Sequence, residues 1–361
     1  MLFLHLQFGN IMITKKSKRL KQLKHQQSRQ RAEMKKRGDN YRKRRAYRLY
    51  LRRNRLTTRR EVANKPYTPV VAPECFSFID NTEASLKYLE ECRLLLHKNE
   101  NINCDISKVK TLTPDAIALL VACTNDLKFR GNYANIKGNA PEDKFANKLF
   151  VESGFYKFVN TSKEMKCAQR KECNLLHKES DFSVQSGIAK EACLYGTRHV
   201  FQNSKPISEL YEMLVEAMSN TNNHAGKDSE HKIKWWLYTY NDPFGFTSYS
   251  FIDLGVGIFE SIPVQKFKKL TKLLNITNNV DLVQDLLNGK IKSSIKADNE
   301  IRGKGIPQIA LNSLEPIFKR AFIISNDVKI DLKTQQAEKL SVDFRGTFLY
   351  WELYNEQKKE I

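Results

Sequence analysis

The positive charge of this chain is crowded into one end. The 361 residues carry a net charge of +21, but residues 1–66 hold 22 Lys and Arg against 3 Asp and Glu, and the rest holds 39 against 37. A segment that cationic repels itself and has too little apolar surface to offset the entropy of ordering. Residues 1–65 therefore read as a basic extension, helical or disordered, and any packed core must come after them. The nearly neutral remainder is long enough for two domains.

Within the extension, Arg42-Lys43-Arg44-Arg45 and Arg52-Arg53-Asn54-Arg55 alternate with Tyr41, Tyr47 and Tyr50. Cations with interleaved tyrosines suit a polyanion, the cations neutralising phosphates and the rings stacking on bases. Nucleic acid or an acidic protein is the expected partner of residues 14–65, with a solvated tail as the bland alternative. The apolar stretch Met1 to Ile13 is too short to span a bilayer and has no basic region before it. Met12 is an alternative start, and no membrane span is expected. Seven cysteines show no C-x-x-C pair, which suits free thiols and a cytoplasmic protein.

Residues 66–75, with Pro66, Pro69 and Pro73, read as an extended linker. Strand and helix signals then alternate over 76–160. Strands are expected at 76–79, 101–109 and 133–137, and helices at 84–97, 114–129 and 144–153. Such alternation predicts a small α/β domain. A polar connector follows at 161–188, with a short edge strand expected at 182–184. A larger domain is expected over 189–355, and 356–361 form a tail. The fold class is α/β, of the α+β kind.

Leu210, Met213, Leu214 and Ala217 recur at a helical period. Glu216, Asn220 and His224 follow each other at intervals of four on another side of the same helix. Such a row is either a solvated face or a site in which a carboxylate orients water and an amide oxygen holds a hard cation. Three further segments follow in order: Asp253-Leu-Gly255-Val-Gly257 after an apolar run, Gly303-Lys304-Gly305-Ile-Pro307, and Phe344-Arg345-Gly346-Thr347 before an apolar strand. About forty-five residues separate Gly257 from Gly303, with helical patterns at 264–274 and 280–291.

In order and spacing these four segments resemble the N box, G1 box, G2 box and terminal Gly-Thr of the GHKL ATPases, which include gyrase, sensor histidine kinase and anti-sigma kinase domains. The resemblance implies a Bergerat α/β sandwich that binds ATP with Mg²⁺. It implies Glu216 as general base and Asn220 as magnesium ligand. Asp253 would accept the adenine amino group, with Gly255 and Gly257 leaving room for the nucleotide. Gly303, Lys304 and Gly305 would meet the phosphates, and Thr347 would support the adenine pocket. The stretch between Gly257 and Gly303 would be the ATP lid.

Residues 76–160 resemble a STAS domain more loosely, through Asp105-Ile-Ser107-Lys-Val109 and Ser153-Gly154-Phe155. Where that family carries a phosphorylatable serine, this chain has Thr113-Pro114-Asp115. Asp115 reads as a first-turn carboxylate favourable to the helix dipole. Together the resemblances predict an ATP-dependent switch that hydrolyses ATP. A serine/threonine protein kinase and a nucleic-acid-binding module regulated by ATP are the alternatives, and homo-oligomer formation stays open.

Overall fold

The computed structural model describes residues 59–131, 133–161, 175–180, 183–224, 233–262, 278–291 and 305–355, and isolated positions between 28 and 53. The chain divides into two units, residues 1–64 and residues 65–361. The calls on Met1 to Ile13, on 264–274, on Gly303 and Lys304, on Phe182 and on the tail at 356–361 lie outside the described residues, as does most of the basic extension. Among the described residues, no helix is long and apolar enough to cross a membrane.

The second unit is mixed α/β. It opens with β1 (Tyr67–Val71) and β2 (Cys75–Phe76), then α1 (Thr82–His97), β3 (Asn101–Asp105), β4 (Thr111–Leu112) and α2 (Pro114–Asn125). The short α3 (Leu127–Arg130), β5 (Ile136–Gly138) and α4 (Lys144–Glu152) complete this part. A parallel sheet runs in the order β1-β3-β5, and β2 pairs parallel with β4. The expected linker is corrected here, because residues 67–71 are a strand. Val70 is buried, and Pro69 is accommodated because β1 lies at the sheet edge, where a missing N–H breaks no ladder.

The second part starts with β6 (Leu175–Ser180), α5 (Ser186–Phe201), α6 (Ser208–His224), β7 (Trp235–Asn241) and β8 (Thr247–Asp253). It continues with α7 (Ile258–Ser261), α8 (Val283–Leu287), α9 (Gly305–Ser313), β9 (Phe318–Asp331) and β10 (Gln336–Leu353). The five strands form an antiparallel sheet, β6-β7-β8-β10-β9. The edge strand expected at 182–184 is therefore found earlier, at Leu175–Ser180, while Ser183 and Val184 lie outside any strand.

Both faces of this sheet are covered. On one, Leu210, Met213 and Leu214 of α6 and Ile309 of α9 meet Leu237, Phe251, Leu349 and Trp351 in one apolar core. On the other, α1 packs against β10, and α2 against β7 and β8. That double cover explains why every residue of β8 is buried, where an antiparallel sheet ordinarily leaves one face to water. It also explains α2, which is buried continuously from Asp115 to Cys123. A helix apolar all round must be enclosed on all sides.

The loop between β2 and α1 fastens the two layers. Phe78 is fully buried, with its ring 5.3 Å from Phe344 and 4.8 Å from Phe348. The Ile79 carbonyl accepts from Lys329 Nζ at 2.9 Å and Asp80 pairs with Arg320, while Glu83, in the first turn of α1, accepts from the Ser341 backbone N–H at 2.6 Å. Asp115 sits in the first turn of α2 as expected. Its carboxylate also reaches back to this loop, accepting from the backbone N–H of Phe78 at 2.6 Å and of Ile79 at 3.1 Å.

Candidate functional site

The apolar stripe of α6 turns Leu210, Met213, Leu214 and Ala217 into the core, each at most 2% exposed. Glu216 and Asn220 lie one turn apart along the same helix and remain half-buried. The N-terminus of α9 comes up against them. A Cβ at Gly305 would lie 2.8 Å from Asn220 Oδ1 and 2.9 Å from Glu216 Oε2, so only a glycine lets α9 start so close. Asn220 Nδ2 is buried without a hydrogen-bond partner among the described residues. Burial, with the Glu212 carboxylate as a second cause, holds Glu216 above the ordinary glutamate range. The side chain of His224 lies outside the described residues.

Asp253 ends β8 and is 6% exposed. Its Oδ1 accepts from the backbone N–H of Gly255 at 3.0 Å, and its Oδ2 from Thr221 Oγ1 at 3.4 Å. Burial pushes its pKa from 3.8 up to about 6, against the lowering effect of the Gly255, Thr347 and Thr221 hydrogen bonds. Thr347 of β10 is its direct cross-strand partner. Close pairing at this point depends on the preceding glycine. Gly346 has φ +140°, and a Cβ there would lie 2.0 Å from the Asp253 carbonyl oxygen.

These pieces surround one cavity with about 850 Å³ of space not filled by atoms, part of it open to solvent. Asp253, Asn220, Thr347 and Ser261 supply its polar lining, and Ile258, Ile262, Leu286, Ile291 and Leu349 its apolar walls. A mostly apolar cleft with a few convergent polar groups is the usual form of a small-molecule site. Of the residues singled out in the sequence, Asn220, Asp253, Gly257, Gly305 and Thr347 line this cavity. Glu216 stands beside it, next to Gly305. Gly255 instead supports Asp253 through its N–H.

Gly257 has φ +84°, and its missing Cβ would fall 2.4 Å from Asn326 Oδ1. Much of the room that this glycine leaves is thus taken by Asn326. Neither Asn326 nor Thr221 stood out in the sequence. Thr221 follows Asn220 directly, and Ser325-Asn326-Asp327 is a polar interruption of an apolar strand, which was the available signal. Comparison of the chain with protein-family models and with curated proteins finds no match in either.

Proposed function

We propose that this cavity binds ATP with Mg²⁺ in the manner of the GHKL ATPases, and that the chain is an ATP-dependent switch that hydrolyses ATP. The reading is carried by one observation. Segments far apart in sequence, Glu216 to Thr221, Asp253 to Ile262, Gly305 to Pro307 and Gly346-Thr347, meet around a single cavity with a buried carboxylate at its edge. An ionised carboxylate accepts hydrogen bonds and donates none, so Asp253 suits an exocyclic amine and disfavours guanine at that edge.

The side-chain oxygen of Asn220, beside the start of α9, is a fitting ligand for a hard cation next to the phosphates. A magnesium ion held there would neutralise charge on the phosphate oxygens. Glu216, with its raised pKa, would take the proton of the attacking water or hydroxyl. The backbone N–H groups at the start of α9 would face the phosphates. Five free cysteines among the described residues suit a reducing, cytoplasmic setting.

Phosphate release and phosphoprotein formation, measured on one sample, test this reading and separate an ATPase from a protein kinase. Glu216→Ala is expected to bind ATP but lose roughly 10²- to 10⁴-fold in turnover, and Asn220→Ala to lose magnesium-dependent binding. Wild-type turnover in both variants would overturn the assignment.

The basic extension is assigned to a polyanion, on the strength of the excess charge in residues 1–66. Full-length protein should bind nucleic acid with an affinity that falls steeply with salt, about 0.9 counterion being released per neutralised phosphate of duplex DNA. A chain shortened to start at Pro66 should not bind. Equal binding by the two would place the contact elsewhere, and binding by neither would favour an acidic protein partner.

A further inference from the structure

We infer that Ser325, Asn326 and Asp327 are positioning residues of the nucleotide cavity, a three-residue step on β9 that holds both of its apolar walls. The first wall is the segment from Gly257 to Ile262, which contributes Gly257, Ile258, Ser261 and Ile262 to the lining. Ser325 Oγ accepts from the backbone N–H of Ile258 at 2.8 Å. Asn326 Oδ1 accepts from the backbone N–H of Phe259 at 3.0 Å, and its Nδ2 donates to the Val256 carbonyl at 3.0 Å. Two side chains therefore satisfy three backbone groups, at Val256, Ile258 and Phe259, at the foot of this wall.

The second wall contributes Leu286 and Ile291. It is rooted in the 3₁₀ turn Asn279–Leu282 that leads into α8. Asn279 Nδ2 donates to Asp327 Oδ1 at 2.6 Å. Ser325 also donates to the Gly346 carbonyl at 2.7 Å, next to the lining residue Thr347. Its hydroxyl thus links the G1 segment to the last strand.

Three successive strand residues ordinarily alternate between faces and could not serve one cavity together. Here the register slips, with Thr347 opposite Ser325 but Phe344 opposite Asn326, and Asn326 has φ +52°. Such an irregularity re-aims side chains. Ser325 is fully buried and Asn326 is 5% exposed, so losing one partner would strand backbone groups away from water.

The ligand in this inference rests on the ATP reading above, and the test keeps the two apart. In the full chain, Ser325→Ala, Asn326→Ala and Asp327→Ala would be compared with wild type by amide hydrogen exchange without nucleotide and by steady-state kinetics with ATP and magnesium. The first two variants should lose protection at Ile258 and Phe259, and the third in the turn from Asn279 to Leu282. The KM for ATP should rise about tenfold for Asn326→Ala while kcat holds within about twofold, because the phosphate contacts are untouched. A merely structural defect would lower apparent kcat and leave KM alone, which would overturn the inference. Unchanged exchange at Ile258 and Phe259 would overturn it too. Should Asn326→Ala not fold, Ser325→Ala removes one atom and answers the same question. If wild-type protein binds no ATP, the functional reading falls, and exchange alone decides whether the step holds the walls.

Discussion

Asp115 and Asp253 are both nearly enclosed, 2% and 6% exposed, and burial raises the pKa of both. One begins a helix and the other ends a strand. Both are met by several donors, and the difference lies in what stands beside them. Asp115 gathers the N–H groups of Phe78 and Ile79 on one oxygen, with the Ser77 hydroxyl 3.4 Å away, and the loop so held is the one that docks on the large sheet. Asp253 accepts from the Gly255 N–H and the Thr221 hydroxyl, with Thr347 as a further donor, and it borders a cavity. Burial and a raised pKa alone would therefore mark both as candidate site residues. The cavity separates a carboxylate enclosed by the fold from one that a ligand can reach.

The sharpest way to break that contrast is to remove each carboxylate and measure stability. Asp115→Ala strands two buried N–H groups in the loop between the layers, and should cost about 2–4 kcal/mol in a denaturant titration. Asp253→Asn keeps an oxygen for Gly255 and removes a buried charge, so it should be neutral or stabilising. If Asp253→Asn proves as damaging as Asp115→Ala, Asp253 is also a structural carboxylate and loses its claim on a ligand.

A smaller effect separates the two on the binding side. Asp253→Asn presents a mispaired amide to the adenine edge and should lose roughly 1–3 kcal/mol of ATP binding. Asp115→Asn, which folds if one oxygen still serves the loop, should bind ATP as wild type does. Calorimetry with ATP and GTP decides this. Equal affinity of wild type for the two nucleotides would remove the reason for assigning Asp253 to adenine.

The parts of this arrangement that could be read in the sequence are those governed by local physics. The stripe of α6 repeats with the helical period, so Glu216 and Asn220 could be placed on one helix. Pro114 at the helix start placed α2, because its missing N–H costs nothing there. Long-range pairing was less legible. Three prolines made residues 66–75 look like a linker, and only the partner strand β3 turns Tyr67–Val71 into an edge. The cover on the second face of the large sheet was hinted at by the unbroken apolar run of α2, yet nothing in the run names the surface it meets. The polar interruption at Asn326 was visible, but its role was hidden for a similar reason. Its partners Val256 and Phe259 are 70 and 67 residues away, and its positive φ belongs to a strand irregularity that no local pattern announces.

The most delicate test of the contrast uses pH. Folding carries the Asp253 pKa from 3.8 to about 6. The folded state therefore binds this proton more tightly than the unfolded chain. Stability from this group is complete below about pH 3.8 and is lost as pH rises through about 6. In Asp253→Asn that loss disappears, so wild type should lose stability relative to the variant across this window, by about 3 kcal/mol at most. Ligand binding should run the other way. If the ligand is adenine, its amine would need the ionised acceptor, so affinity should fall as pH drops below about 6, by up to about tenfold per pH unit. Adenosine is the cleaner probe, since it has no phosphate to titrate. Binding that stays flat through this window in wild type, or that falls equally in Asp253→Asn, would show that the ligand does not depend on the charge of Asp253. A stability loss between the same limits with no matching gain in affinity would make Asp253 a second Asp115, a buried acid used by the fold alone.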